Sequence, residues 1–228
     1  ILASTADGTV HGPGHHSILR LGDDWYIIYH RHDVPFTPNG MHRQTAADRL
    51  EFDGDGILKK VVPTHRGVGF LGPRTETSPN LALGKKVTAS SYYRDALRKH
   101  DFKPEFAVDD NNATLGRPGD NRMGNWLTVD LGEPRKVRRT LTQFEYATWF
   151  YQYLIEGSLD GKSWTTFADR RANTRWGSPM TDDGDIEVRY LRLTVTETEL
   201  PGLLGAVWNF KAHAEAPADP LLAMADDA

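Results

Sequence analysis

Seven of the nine histidines (His11, His15, His16, His30, His32, His42 and His65) fall within the first 65 residues. An imidazole can ligate a metal or move a proton near neutral pH, and such clustering suits a polar pocket better than solvated surface. His11, His15 and His16 are spaced His-x3-His-His, a poor four-ligand zinc pattern, and no cysteine completes it. Asp48, Asp53 and Asp55 offer carboxylates for acid–base work, but they lie on or beside a hairpin, where a structural role is the simpler reading. Asp109-Asp-Asn-Asn-Ala-Thr114 is a turn dense in oxygen. Trp149 and Trp176 occupy loop-like stretches beside Thr148 and Arg175, and Arg94 and His100 occupy another. Aromatic faces cover apolar C–H patches of a ligand, while Arg and His fix its hydroxyls.

Composition narrows the classes. The chain has 228 residues, 25% charged and 39% hydrophobic, enough for one large domain or two small ones. No apolar stretch reaches the ~18 residues of a membrane span. A net charge of -4, with no long Lys/Arg run, argues against nucleic acid. With no cysteine there are no disulfides and no thiolate nucleophiles, although the compartment stays open. The chain opens on Ile1 with no signal-like segment, so either processing or a longer parent is expected.

The elements that must hold these residues all read as strands. In residues 1–72, short β-branched and aromatic runs at 17–21, 25–30, 47–52 and 57–62 alternate with Gly/Asp/Pro turns. They predict a four-stranded antiparallel sheet of propeller-blade size, which by itself lacks a second layer. Residues 73–79 read as a linker. In 80–215, runs at 86–90, 126–131, 140–146, 151–158, 164–168, 189–196 and 207–212 predict a β-sandwich of about 130 residues. Asp160-Gly161 supplies a tight hairpin, because glycine accepts the positive φ it needs. Trp126, Trp164 and Trp208, in strand motifs, are expected in the core. Residues 216–228 read as a flexible tail. The class is all-β, a partial propeller followed by a jelly-roll sandwich.

Six motifs in order carry a resemblance across 80–215. They are Asn80-Leu-Ala-Leu-Gly-Lys-Lys-Val-Thr-Ala-Ser-Ser91, Phe106-Ala-Val-Asp-Asp-Asn-Asn-Ala-Thr114 and Trp126-Leu-Thr-Val-Asp-Leu-Gly132, then Tyr153-Leu-Ile-Glu-Gly-Ser-Leu-Asp-Gly-Lys-Ser-Trp164, Arg189-Tyr-Leu-Arg-Leu-Thr-Val195 and Gly205-Ala-Val-Trp-Asn-Phe210. This segment resembles a coagulation factor 5/8 type C (discoidin) domain and is similar to carbohydrate-binding module family 32. Residues 9–70, through Gly12-Pro-Gly-His-His-Ser17, Trp25-Tyr-Ile-Ile-Tyr-His-Arg31 and Arg43-Gln-Thr-Ala-Ala-Asp-Arg-Leu-Glu-Phe-Asp53, resemble the last blade of a five-bladed glycoside hydrolase family 43 propeller.

The resemblances imply a distribution of roles. Inverting hydrolysis needs two carboxyls about 6.5–9.5 Å apart. In the propeller family these come from earlier blades, which would precede Ile1, so no catalytic residue is expected in this chain. His15 matches a histidine aimed at the propeller axis near a metal or water, and the alternative is a hydrogen-bonded strand-start histidine. Arg43 matches a position that offers a guanidinium to the sugar, against an ordinary strand-edge ion pair. In the sandwich, Asp109, Asn112 and Thr114, with Asn209 where the family usually places Glu, resemble a calcium loop. The alternative is an acidic turn with no metal. Sugar is expected at the loop end, in the stretches Tyr92 to Lys103, Gly116 to Asn125, Ala147 to Phe150 and Ala172 to Met180, with Arg94, His100, Trp149 and Trp176 as candidate contacts.

The expected function is thus the C-terminal part of a secreted, bacterial glycosidase cutting arabinosyl, xylosyl or galactosyl linkages, with a module that binds polysaccharide or oligosaccharide. Its expected partners are the missing N-terminal blades, its expected cofactor is calcium, and neither nucleic acid nor a membrane span is implicated. The alternative is a stand-alone, non-catalytic carbohydrate-binding or adhesion protein.

Overall fold

The computed structural model describes residues 2–6, 10–32, 43–65, 67–68, 78–97, 100–111, 114–200, 202 and 205–216. Of the sequence expectations, His42, Asn112, most of the 73–79 linker and nearly all of the tail lie outside the described residues. The chain divides into two compact units, Ile1–Glu76 and Thr77–Ala228.

In the first unit, β1 (His11–Leu21), β2 (Asp24–His32) and β3 (Arg43–Leu50) form an antiparallel sheet in that order. β2 and β3 pair without a break from Trp25↔Leu50 to His32↔Arg43. Their alternation sends Ile27, Tyr29 and Leu50 into a small core with Val61, packed by Leu2, Ala46 and Leu58. Buried Asp48 braces that core. It accepts from Tyr29 Oη at 2.6 Å, Thr64 Oγ1 at 2.6 Å and Thr64 N at 3.2 Å. The fourth strand expected at 57–62 does not form. Asp53 Oδ1 accepts from the amides of Asp55 and Ile57, turning the chain into a stub paired only at Phe52↔Leu58. Val61 then bridges Leu2 in parallel, and Pro63 has no N–H with which to extend the pairing.

The second unit is the expected β-sandwich. Its strands are β4 (Lys86–Ala89), the short pair β5 (Arg94–Asp95) and β6 (His100–Asp101), β7 (Asn125–Phe144), β8 (Tyr151–Ser158), β9 (Thr165–Asp169), β10 (Met180–Thr198) and β11 (Val207–His213). A 3-10 turn, Pro104–Val108, precedes β7. The main order is β11-β7-β10-β8-β9, with β4 added on β7. β7 and β10 are long enough to serve both layers. The first half of β7 pairs with β4 and its second half with β11, while register shifts in β10 between Asp183 and Ile186 and between Val188 and Tyr190 mark the crossing. Val129, Leu131, Leu191, Leu193, Tyr153, Ile155, Phe144 and Phe210 meet in the core. Phe144 and Tyr151 stack at 4.1 Å and 6°. Each such buried side chain contributes about 1.5–3 kcal/mol.

Two of the three tryptophans expected in the core are not there. Leu127, Val129 and Leu131 take the inward positions of β7, so strand alternation turns Trp126 outward. Trp126 and Trp164 are half-buried and flank Arg192, whose Cζ lies 5.0 Å and 3.8 Å from their rings. Trp208 is buried as expected and donates Nε1–H to the Glu145 carbonyl at 3.3 Å.

Candidate functional site

Strand register decides where the loops gather. Trp126, near the start of β7, pairs with Thr194 near the end of β10, whereas Thr142, near the end of β7, pairs with Met180 at the start of β10. Because both strands cross between layers at their middles, these two pairings come to one end of the sandwich: Gly205 packs against Val195 near the end of β10, and Val207, two residues on, pairs with Phe144 at the end of β7. β8 begins there too, with Tyr151 opposite Thr198, and so does β11, with Val207 opposite Phe144. The segments 90–124, 145–150, 170–179 and 199–206 consequently share that end, while the Asp160-Gly161 hairpin lies at the other. At that hairpin Gly161 has φ +72°, and the Ser163 and Lys162 amides hold the Asp160 carboxyl down at about 2.

A shallow pocket, continuous with solvent, opens at the loop end. Ser91, Tyr92, Arg117, Asn125 and Trp126 line it together with the core residues Leu193 and Val195. The loop that carries Arg117 is fastened by its backbone: Tyr93 N donates to Arg117 O at 2.9 Å, Phe102 N to Tyr93 O at 2.9 Å and Arg117 N to Phe102 O at 3.3 Å. Ser91 Oγ accepts from Gly119 N at 3.0 Å. A Cβ at Gly119 would sit 2.8 Å from the Tyr92 carbonyl, so only glycine allows this approach. Asn125 locks the far side, accepting from Ser90 and Ser91 through Oδ1 and donating to the Asp120 and Arg122 carbonyls. The Arg122 guanidinium holds the Asp120 carboxyl far below its usual range.

The Arg117 guanidinium lies 5.0 Å over the Tyr93 ring and 5.8 Å from the Phe102 ring. Its Nε is buried with no hydrogen-bond partner among the described residues, a state that costs about 1–3 kcal/mol. Among the described residues no carboxylate lines the pocket. The site is equipped to hold a ligand by apolar faces and hydrogen bonds.

Of the five predicted sugar contacts, the four in the sandwich lie on the loop end, and Arg43 belongs to the first unit. Arg94 packs 4.8 Å over the Tyr92 ring and donates to its hydroxyl, placing it beside the pocket. His100 sits behind, edge-on to Phe102 at 4.9 Å and stacked with Phe106 at 6.0 Å, and burial lowers its proton affinity. Trp149 is half-buried against Tyr146 at 4.6 Å, whereas Trp176 is 67% exposed, and neither lines the pocket. Sequence reasoning delimited the loops but did not single out Tyr92, Arg117 or Asn125. A signal was available in Ser90-Ser-Tyr-Tyr-Arg94, an aromatic pair immediately after a strand.

The oxygen-rich turn closes on itself. Asp109 accepts from Thr114 Oγ1 at 2.7 Å and from Asn111 N at 3.0 Å, and Thr114 Oγ1 also approaches the Asn111 carbonyl at 2.9 Å. These are oxygens of the kind a hard cation takes, and Lys211 brings a competing positive charge onto Asp110. Asn209, buried in β11, donates to Gln143 at 3.4 Å. In the first unit His15, at φ +45°, faces His30 with ring centres 5.0 Å apart, and His30 faces His32 at 6.0 Å. Among the described residues no three His, Asp or Glu side chains come together as a metal site. Arg43 is exposed at the start of β3, opposite His32. Burial lowers the proton affinity of His30, and the charge of Arg43 adds to this.

A family model described as the F5/8 type C domain matches residues 86–207. A solved structure titled glycoside hydrolase is 28% identical with a TM-score of 0.67, covering 92% of this chain and 48% of its own. Chitosan-binding module 1, derived from a chitosanase/glucanase of Paenibacillus sp. IK-5, is 27% identical with a TM-score of 0.51, covering 59% of this chain and 98% of the module. Lactadherin of Sus scrofa is 34% identical over 109 residues, which are 45% of this chain and 26% of lactadherin. The chain thus spans about half the length of the glycoside hydrolase and about a quarter of the lactadherin.

Proposed function

The chain belongs to the F5/8 type C domain family, and from that premise we propose that its second unit is a carbohydrate-binding module whose ligand enters the loop-end pocket. The observation that carries this reading is the lining itself. Tyr92 and Trp126 supply apolar ring surface and Arg117 supplies donors. Likeness to a chitosan-binding module over nearly the whole of that module supports it. Arg94 and His100 extend the same wall, and Trp149 and Trp176 serve a longer chain that runs beyond the pocket. The Asp109–Thr114 turn, with Asn209, holds a structural calcium ion that stiffens the loop.

The likeness to a glycoside hydrolase covers 92% of the chain and so extends into the first unit. It supports reading residues 1–72 as the last blade of a family 43-type propeller, with His15 near the axis and Arg43 toward the sugar. The whole protein would then be an extracellular, bacterial, inverting enzyme acting on arabinosyl, xylosyl or galactosyl linkages, its catalytic carboxylates supplied by other blades. The module raises the effective concentration of enzyme at polysaccharide rather than the chemical rate. Among the described residues no helix is long and apolar enough to cross a membrane.

Affinity electrophoresis of the 228-residue chain through gels cast with arabinan, xylan or galactan tests the binding reading. Retardation by at least one polymer is expected, relieved by Tyr92→Ala. Migration unchanged by every polymer, from a chain with native circular dichroism, would move the assignment to adhesion.

A further inference from the structure

Most arginines of the sandwich are already neutralised. Arg122 is paired with Asp120, Arg139 with Asp183, Arg170 with Asp182, Arg171 with Asp169 and Arg189 with Asp130. Arg94 and Arg117, at the pocket, are different. Among the described residues neither has a carboxylate within ion-pair distance. Arg94 stands opposite Asp101 in the β5–β6 ladder, yet its guanidinium turns instead onto the Tyr92 ring. Arg117 has the rings of Tyr93 and Phe102 against it.

That packing decides what Arg117 can recognise. Neither ring offers a strong acceptor, so the N–H donors, which lie in a fork along the edge of the guanidinium, are what Arg117 has for a ligand. Nε is buried and, among the described residues, without an acceptor, so the two terminal nitrogens are the donors left for a ligand. A lone hydroxyl oxygen satisfies one donor, whereas a carboxylate accepts two parallel N–H bonds at once and carries the opposite charge. Among the described residues no carboxylate in the lining repels such a ligand. The nearby Asp120 is already engaged by Arg122 and Asn125.

From this we infer that the loop-end pocket selects a sugar bearing a carboxylate, a uronic acid unit of an acidic polysaccharide, with Arg117 gripping the carboxylate edge-on and Arg94 adding a second positive charge at the rim. The inference rests on the carbohydrate reading above and names its ligand class.

The test compares one polymer in two charge states. Isothermal titration of the full chain with oligogalacturonate and with its fully methyl-esterified form isolates the carboxylate, and a neutral galactan oligosaccharide serves as the third ligand. The expected result is binding to the free acid, weakened at least about tenfold by esterification and weakened further by raised salt. Arg117→Gln is expected to reproduce the loss. Arg94→Gln, a change on an exposed side chain that leaves folding intact, should weaken binding by a smaller factor. Equal affinity for acid and ester, or preference for the neutral galactan, would overturn the acidic-sugar inference and leave the carbohydrate reading standing. Binding to vesicles containing phosphatidylserine, with none to any of the three sugars, would overturn both.

Discussion

Tyr153, fully buried at the centre of β8, donates its hydroxyl hydrogen to Asp182 Oδ2 at 2.7 Å, and Asp182 Oδ1 receives Arg170 Nε at 2.6 Å. Burial, then the neighbouring carboxylate, drives the Tyr153 hydroxyl far above its ordinary titration range, so it stays a donor at every accessible pH. The carboxylate is 1% exposed and the arginine 42%. The pair is therefore asymmetric, and its partners fail differently. Asp182→Ala strands a buried hydroxyl and should cost about 3 kcal/mol, while Tyr153→Phe leaves the Arg170 contact intact and should cost about 1 kcal/mol. Urea unfolding of the two variants reads the difference, and equal losses would show that Arg170 adds nothing.

His213 gives the second unit a pH dependence. It is the last residue of β11 and donates Nδ1–H to the Ser78 carbonyl at 2.7 Å, tying the end of the sandwich to its beginning. Burial lowers its proton affinity, the Lys211 and Arg139 charges lower it further, and the hydrogen bond to Ser78 opposes them. The native imidazole thus protonates only below the value near 6.5 of the unfolded chain. Below that pH the unfolded state binds more protons than the native one, so stability present at neutral pH is lost as the pH falls. His30 and His100 are shifted the same way by burial. Urea midpoints should decline from about pH 7.5 to about pH 5, and His213→Asn, which keeps a donor but cannot titrate, should decline less steeply. A variant that follows the parent slope would remove His213 from the account.

Strand alternation was readable in the sequence wherever one face is apolar and the other polar, as in Tyr151–Ser158. Two things were not readable. The run Asp182-Asp-Gly-Asp185 has the composition of a turn, yet it lies inside β10, because a strand that crosses between layers must bend and its backbone is paired with β7 through Thr140 and Arg139. Trp126 and Trp164 have the composition of a core, yet they face outward, because Arg192 between them satisfies their ring faces on the surface. At the site, loops could be located by their turn residues, but Arg117 stands out only once Tyr93 and Phe102 are folded against it. A contact between residues this far apart leaves no local pattern in the sequence.

Calcium should act on the Asp109–Thr114 turn. Saturating calcium at about 100 times its dissociation constant would add about 2.7 kcal/mol, raising the melting temperature by several degrees, and a chelator should reverse the gain. Asp109→Ala should abolish it. Lys211→Gln should enlarge it, because the ammonium on Asp110 competes for the same charge. Differential scanning fluorimetry with calcium and with EDTA distinguishes these outcomes. A melting temperature indifferent to both would leave Asp109 as a turn residue held by Thr114 and the Asn111 amide.

Arg192 makes the final case for treating the outer sheet face as built rather than incidental. Its guanidinium lies between two indoles and donates Nε–H to Thr128 Oγ1 at 3.1 Å. The three side chains come from β7, β10 and the turn entering β9, so the contact ties the entry of β9 to the adjacent pair β7 and β10 across the intervening β8. Arg192→Ala removes the charge and the plate between the rings, and should destabilise the protein by about 1 kcal/mol. It should also shift tryptophan emission to longer wavelength as Trp126 and Trp164 gain water. Arg192→Lys keeps the charge without the plane and should recover part of the stability but little of the emission. If both variants left emission unchanged, the indoles would be shielded by the sheet alone and the arginine would be an ordinary surface cation.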